Sequence, residues 1–354
     1  MSDTPDADAS EPADATDHDA PDHDVDAPDH DVDGIAVVGA GRMGHGIALT
    51  YALAGHPVRL FDVDEETLAS SPDRIADALD TFTERGRYSE SAATDALDRI
   101  SLHTDVAEAV DGVDFVTEAV AEDAAIKQAV FEDLDEHAPA DAILATNTSG
   151  ISIDEIAGPV EDASRVLGTH WFNPPHLVPL VEVVKGSATT DAAAQRIRAL
   201  LEDADKTPIV VQKDVPGFIG NRIQAAMSYE AFSLLARGVA TPQDIDRAVK
   251  AGFGFRLPIM GIFEKMDQSG LAIHHEVEKR LMGDLDRGTD PNPVIEELLE
   301  EGYTGTETGK GIYDWTDVDL ESVRERRDGA LLDMLDLYEE SDAESSPPAY
   351  YDRT

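Results

Sequence analysis

The chain has 354 residues and a formal charge of −47, from 74 acidic against 27 basic side chains, which excludes nucleic acid and anionic membrane as partners. It contains no cysteine, so disulfides and thiolate nucleophiles or ligands are excluded, and a reducing cytosol suits it. The length accommodates two domains, each able to hold a core.

Residues 1–33 carry 13 acids, no lysine or arginine, and two tandem copies of Ala-Pro-Asp-His-Asp-Val-Asp, at Ala20–Asp26 and Ala27–Asp33. Such a segment buries too little area to offset its ordering entropy and reads as a disordered, solvated acidic tail, with at most weak metal binding by its His-Asp repeats. The rest still holds 61 acidic against 27 basic residues, and only 8 of the latter are lysine. A surface of this kind repels itself in dilute buffer and is screened at about 1 M salt, where the Debye length is ~3 Å. The composition therefore points to a salt-adapted, halophilic protein. The apolar run from Ile35 to Val58 contains Arg42, His45, His56 and five glycines, so it is neither a signal nor a membrane segment.

Folded structure is expected from Gly34. Ile35–Val38 is a short strand, and Gly39-Ala40-Gly41-Arg42-Met43-Gly44 leads into a helix reaching Ala54, where Gly55 and Pro57 stop it. Val58–Phe61 is a second strand ending at Asp62. A glycine triplet between strand and helix, with an acid closing the next strand, is the arrangement a dinucleotide requires. The first glycine permits the tight turn, the second admits the pyrophosphate, and the third lets helix and strand pack. Asp62 accepts bonds from ribose hydroxyls and repels a 2′-phosphate, so NAD is expected rather than NADP. His45 is a variable helix position.

Leu68–Leu79 and Ala92–Ile100 are predicted helices, Val113–Val120 a strand, Ala124–Glu136 a helix and Ile143–Thr146 a strand ending in Asn147-Thr148-Ser149. This alternation predicts an α/β fold with a doubly wound, Rossmann-type sheet. Glu122 and Lys127 follow a strand C-terminus, where such sheets hold ligands, and read either as ligand contacts or as a charge pair at a helix start. Ser149 either presents a hydroxyl to substrate or caps the next turn.

His170 ends an extended run from Val166, an Asn173-Pro174-Pro175 turn follows, and a second run, Leu180–Val184, carries Glu182. Side by side, the runs bring an imidazole and a carboxylate to one rim, the minimum for a general base. Thr190–Ala204 is a predicted helix, Pro208–Val211 a strand, and Asp214–Phe218 a hinge. Beyond it alternation stops, and helices are predicted at Phe218–Arg237, Thr241–Val249, Met260–Gln268 and Leu271–Met282. Gly302–Trp315 reads as a packed closing loop and Leu320–Glu340 as a charged helix, with a frayed end at Ser345–Thr354. The expected organisation is therefore a tail (1–33), a dinucleotide domain (34–215), an all-helical domain (216–316) and a charged C-terminal segment (317–354).

From Gly34 to Trp315 the chain resembles the NAD-dependent L-3-hydroxyacyl-CoA dehydrogenases, including 3-hydroxybutyryl-CoA dehydrogenases. The matching marks are Gly39–Ala48, Thr117–Lys127, Asn147–Ser149, His170–Pro175, Leu180–Val184, Asp214–Arg222 and Thr308–Trp315. The resemblance implies His170 as the acid–base, Glu182 as its partner, Ser149 and Asn221 as substrate contacts, and Glu122, Lys127, Asn147, Ser149 and Asn173 on the cofactor side with Gly39, Gly41, Arg42, Met43, Gly44 and Asp62. It further implies reversible oxidation of an (S)-3-hydroxyacyl-CoA by NAD in fatty-acid or butyrate metabolism, and a homodimer formed through the helical domain. Two departures bear on the substrate. His176-Leu177-Val178-Pro179-Leu180 replaces a segment that carries lysine in many acyl-CoA members and is similar to relatives acting on free hydroxy compounds, such as carnitine and gulonate dehydrogenases. The helix after Asp62 is acidic, with only Arg74, Arg85 and Arg87. A related dehydrogenase of a free hydroxy compound is the alternative, and a non-catalytic NADH-binding protein a third.

Overall fold

Four consecutive apolar residues, Ile35–Val38, form β1 in the middle of an eight-stranded sheet, and every one of them is buried. A strand covered on both faces needs apolar side chains at every position, and alternate residues of β1 feed the two cores. Ile35 and Val37 point into one apolar cluster, Ala36 and Val38 into the other. The computed structural model describes residues 30–341.

In chain order, β1 is followed by α1 (Gly44–Leu53), β2 (Val58–Phe61), α2 (Glu65–Ala69), α3 (Ser71–Glu84), α4 (Glu90–Asp98), β3 (Ile100–His103) and α5 (Val106–Val110). Then come β4 (Phe115–Glu118), α6 (Ala124–His137), β5 (Ile143–Thr146), α7 (Ile153–Ile156), β6 (Val166–Trp171), β7 (Leu180–Lys185), α8 (Asp191–Asp203) and β8 (Thr207–Val211). The strand order is β3-β2-β1-β4-β5-β6-β7-β8. β1 to β6 are parallel to their neighbours, and β7 runs antiparallel to β6. β8 follows the direction of β7. The expected doubly wound sheet is present, extended by two reversed strands.

After β8 the chain is helical: α9 (Gly220–Ala236), α10 (Pro242–Ala251), α11 (Ile262–Ser269), α12 (Leu271–Leu281), α13 (Pro293–Glu300) and α14 (Leu320–Glu340). No helix among the described residues is long and apolar enough to cross a membrane. α10 to α13 contain no buried residue, and large apolar side chains stand open on them and on their connections, among them Phe255, Phe263, Leu271 and Ile273.

Several expectations shift. The single helix expected at Leu68–Leu79 is two: α2, capped by Asp64, and α3, with Pro72 in its first turn. β3, α5 and α13 were not anticipated. β3 is an edge strand whose Ser101 and Leu102 are exposed, so it lacks the apolar signal of a covered strand. The chain is ordered before Gly34: Val32 is buried, Arg196 donates to the carbonyls of His30 and Asp31, and Asp114 accepts from the N–H groups of Asp33 and Gly34. His30 and His56 both aim Nε2 at Asp203, and His30 Nδ1 accepts the Val32 N–H. That bond leaves the proton of a neutral His30 on Nε2, facing the carboxylate as a donor. The rest of the acidic tail and the segment Ser345–Thr354 lie outside the described residues.

Candidate active site

The cofactor side is built at the C-terminal ends of β1, β2, β4 and β5. Gly39 has φ +104°, which an L side chain rarely adopts, and a Cβ at Gly44 would lie 1.7 Å from the Gly39 carbonyl oxygen. A Cβ at Gly41 would meet nothing within 4 Å, so the loop is open toward solvent at the position where a phosphate approaches the start of α1. Asp62 braces this loop: one carboxylate oxygen accepts the Ala40 N–H at 2.7 Å and the other the Asp64 N–H at 2.9 Å. Each oxygen keeps a further lone pair for a ribose hydroxyl. Arg74 of α3 donates to the Ala40 and Thr67 carbonyls, and His45 Nδ1 lies 2.7 Å from the Gly41 carbonyl, so both hold the loop in shape. Arg42 is exposed and Met43 packs on the core below. These residues fit a dinucleotide.

Glu122 gathers the neighbouring loops. Its Oε1 accepts from the Thr148 hydroxyl at 2.8 Å and from the Ser149 N–H and hydroxyl at 2.7 and 2.9 Å. Burial pushes its carboxyl up, but the Ser149 N–H, the two hydroxyls and the Lys127 charge outweigh it and hold Glu122 below the usual carboxylate range. Lys127 is fully buried, with Nζ 2.7 Å from the buried Glu118 and 3.5 Å from Glu122. It stands behind Glu122 instead of opening on the cleft. Asn147 accepts the Trp171 N–H at 2.9 Å and so ties β5 to β6 beside the histidine. Asn173 is exposed, in the loop after β6.

β6 and β7 pair so that His170 lies directly opposite Glu182. Side chains of directly opposed residues share one face, so the register alone delivers the contact. His170 Nδ1 is 2.6 Å from Glu182 Oε2, with Glu182 wholly buried. The other carboxylate oxygen accepts the Ile219 and Gly220 N–H groups at 2.9 and 3.0 Å, at the first turn of α9. Burial would push Glu182 up, but the His170 bond and these two N–H groups outweigh it, and its carboxyl lies below the ordinary range. Glu182 is thus ionised and can only accept, which places the His170 proton on Nδ1 and the lone pair on Nε2. Asn221 Nδ2, from the same turn of α9, sits 3.4 Å from that Nε2 and 3.5 Å from the Ser149 carbonyl. Phe172 and Phe218 flank the ring at 4.6 and 5.5 Å.

The structure therefore brings His170, Glu182, Asn221 and Ser149 to one rim. Ser149 arrives with its hydroxyl turned to Glu122 and its carbonyl to Asn221. The sequence places the start of α9 to within two residues but does not reveal that the Ile219 and Gly220 N–H groups bond Glu182. Gly217 and Phe218 both have positive φ, at 76° and 48°, and this turn aims the next two N–H groups at Glu182. Gly220 is needed because a Cβ there would lie 2.5 Å from the Phe172 ring. The run Pro216-Gly217-Phe218-Ile219-Gly220 was the available signal.

A βαβ sheet with a glycine loop and an acid after β2, facing a histidine–carboxylate pair at the same rim, defines a nicotinamide-dependent dehydrogenase. The chain belongs to the 3-hydroxyacyl-CoA dehydrogenase family: residues 34–215 match the model of its NAD-binding domain and residues 217–315 that of its C-terminal domain. NAD is accordingly its cofactor. It is 32% identical over 305 residues to the 5-formyl-3-hydroxy-2-methylpyridine 4-carboxylate 5-dehydrogenase of Mesorhizobium japonicum, covering 86% of this chain and 98% of that protein. It is 37% identical over 282 residues to a probable 3-hydroxybutyryl-CoA dehydrogenase of Bacillus subtilis, covering 79% and 96%. Among solved structures, a crystal structure of the pyridine-carboxylate dehydrogenase, described as an NAD⁺-dependent dismutase, superposes with TM-score 0.82 at 31% identity over 87% of this chain and 99% of that one. The (S)-3-hydroxybutyryl-CoA dehydrogenase of Ralstonia eutropha gives 0.67 at 31% over 80% and 99%.

Proposed function

We propose that the protein interconverts a hydroxyl-bearing carbon and the corresponding carbonyl with NAD, using His170 as acid–base and Glu182 as the group that holds and charges it. The observation that carries this reading is the pairing of His170 Nδ1 with a buried, ionised Glu182, which leaves Nε2 free to take a proton. When bound, NAD supplies the hydride acceptor, or NADH the donor. His170 Nε2 removes the hydroxyl proton, and Glu182, fixed by the Ile219 and Gly220 N–H groups, stabilises the imidazolium that forms. Asn221, 3.4 Å from Nε2, is placed to donate to the reacting oxygen. Ser149 contributes through Glu122 by shaping the cleft floor. A positioned acid–base of this kind contributes about 10²–10⁴ in rate.

For the substrate, the family model and the Bacillus relative support a 3-hydroxyacyl-CoA thioester. A free hydroxy acid is the second reading. It is favoured by the likeness to the pyridine-carboxylate dehydrogenase, whose name gives a free carboxylate and which matches over 305 residues against 282 for the Bacillus relative, and by its higher TM-score. The open apolar surface of α10 to α13 supports a homodimer buried there. The acidic composition supports working conditions near molar KCl.

The test is NADH formation in molar KCl with (S)-3-hydroxybutyryl-CoA, free 3-hydroxy acids, carnitine and gulonate, using the native chain and His170→Gln. The expected result is turnover by the native chain and a loss of about 10²–10⁴ in kcat for the variant, with NADH binding intact. Native-like turnover in His170→Gln overturns the mechanism.

A further inference from the structure

α14 lies beyond both family models, the second of which ends at residue 315. It packs on α3 of the dinucleotide-binding layer. Leu332 and Leu335 are buried, and Leu332 joins the cluster that contains Leu79, Phe82 and Leu177. Arg85 and Arg87, just past the end of α3, are paired by its carboxylates: Arg85 with Asp333 at 2.5 Å, Arg87 with Asp336 at 2.8 Å and with Glu339 at 2.6 Å. Within the helix, a Cβ at Gly329 would lie 2.2 Å from the Arg85 guanidinium, so the arginine rests on the helix backbone.

Leu335 also lines a cavity of about 30 Å³ with Phe82, Tyr88, His176 and Lys206, room for roughly one water. His176 belongs to the loop joining β6 to β7, six residues after His170. The C-terminal half of α14 is therefore seated over the loop that connects the two dyad strands. From Asp328 to Glu340 it carries five carboxylates and no lysine or arginine.

Resting on the oxidoreductase reading above, we infer that α14 sets the substrate class by closing this flank of the site to nucleotide-bearing thioesters, leaving a small free hydroxy acid as substrate. Every arginine of α3 and of the turn after it is already engaged, Arg74 by backbone carbonyls and Arg85 and Arg87 by α14. Lys206, beneath the same loop, donates to the Pro175 and Val178 carbonyls. A coenzyme A tail brings several phosphate charges. Along this flank it meets a docked helix, carboxylates on the helix's exposed side, and cations already bonded at contact distance, where salt screens least. A free acid needs none of these groups, only room at the His170 rim.

Two measurements on the full-length chain in molar KCl decide it. The first is calorimetric titration of NADH-loaded protein with free coenzyme A. No saturable binding at millimolar ligand is expected for the native chain, with binding gained in Asp333→Asn/Asp336→Asn/Glu339→Gln, where the arginines are released. Saturable sub-millimolar binding to the native chain overturns the inference. The second compares kcat/KM for the coenzyme A and N-acetylcysteamine thioesters of one hydroxyacyl group. Remote binding energy would favour coenzyme A strongly, so a ratio of at most about 3 is expected and any larger ratio overturns the inference. Absence of turnover with every thioester and free acid would instead defeat the proposed reaction, while the titration still decides the role of α14.

Discussion

Glu182→Gln separates the proposed acid–base chemistry from simple structural support. Glu182 serves three donors with two acceptor oxygens: His170 Nδ1–H on Oε2, and the Ile219 and Gly220 N–H groups on Oε1. Glutamine offers one acceptor and one donor group in the same shape. If its oxygen faced the ring, its amide would confront two half-buried backbone N–H groups, each costing about 1 kcal/mol unsatisfied. With its oxygen on the backbone, its amide faces Nδ1, and the ring answers by moving its proton to Nε2. The second arrangement costs less. It keeps the fold but turns Nε2 into a donor that also opposes Asn221. An imidazole in the wrong tautomer loses roughly 10⁴ in kcat in the best-known triad case, and a loss of about 10³–10⁴ is expected here. Stability should fall by only about 1–2 kcal/mol, and NADH affinity should hold. The assay is kcat from pre-mixed NAD and saturating substrate, beside NADH fluorescence titration and urea unfolding. A loss in kcat under tenfold, with the variant folded and NADH bound, would refute the reasoning.

Other expectations follow from buried charge and open surface. Lys127→Met strands Glu118 without its cation, and unfolding free energy should drop by about 3–5 kcal/mol; a drop below about 1 kcal/mol in urea titrations would contradict the buried pair. Lys206 is desolvated, and burial lowers its ammonium to about 7. The unfolded chain then binds more protons between about pH 7 and pH 10.4, so this residue makes native stability rise with pH across that window, by at most about 1.4 kcal/mol per unit. Lys206→Met should flatten that rise, and an unchanged slope would show that the lysine is not the source. Phe263 is exposed on α11, and Phe263→Glu should convert a dimer to monomers in sedimentation equilibrium. A native chain that is already monomeric at micromolar concentration would remove the argument.

Elements specified by near neighbours are legible in the sequence, and those specified by distant ones are not. β1, α1, β2 and β5 were legible because covered strands are apolar throughout and glycine and proline punctuate the turns. α14 was legible as Leu320–Glu340 from its own periodicity. α13 was not, because Pro291-Asn292-Pro293 reads as loop although Asn292 caps the helix and Pro293 opens it. β3 failed because an edge strand bears no burial pattern, and Val32 because two acids and a repeat surround it.

The amino-acid order by itself determined the dinucleotide loop, Asp62, and the proximity of His170 to Glu182, since each depends on neighbours within a few residues or on two adjoining strands and their turn. Only the tertiary structure decided what that proximity means. The Ile219 and Gly220 N–H groups that keep Glu182 ionised come from 37 and 38 residues away, Asn221 reaches His170 across 51, and α14 returns to Arg85 and Arg87 across roughly 250. Contacts so distant along the chain have no local signature. They exist because packing two sheet faces and a helical domain leaves one rim where these groups meet.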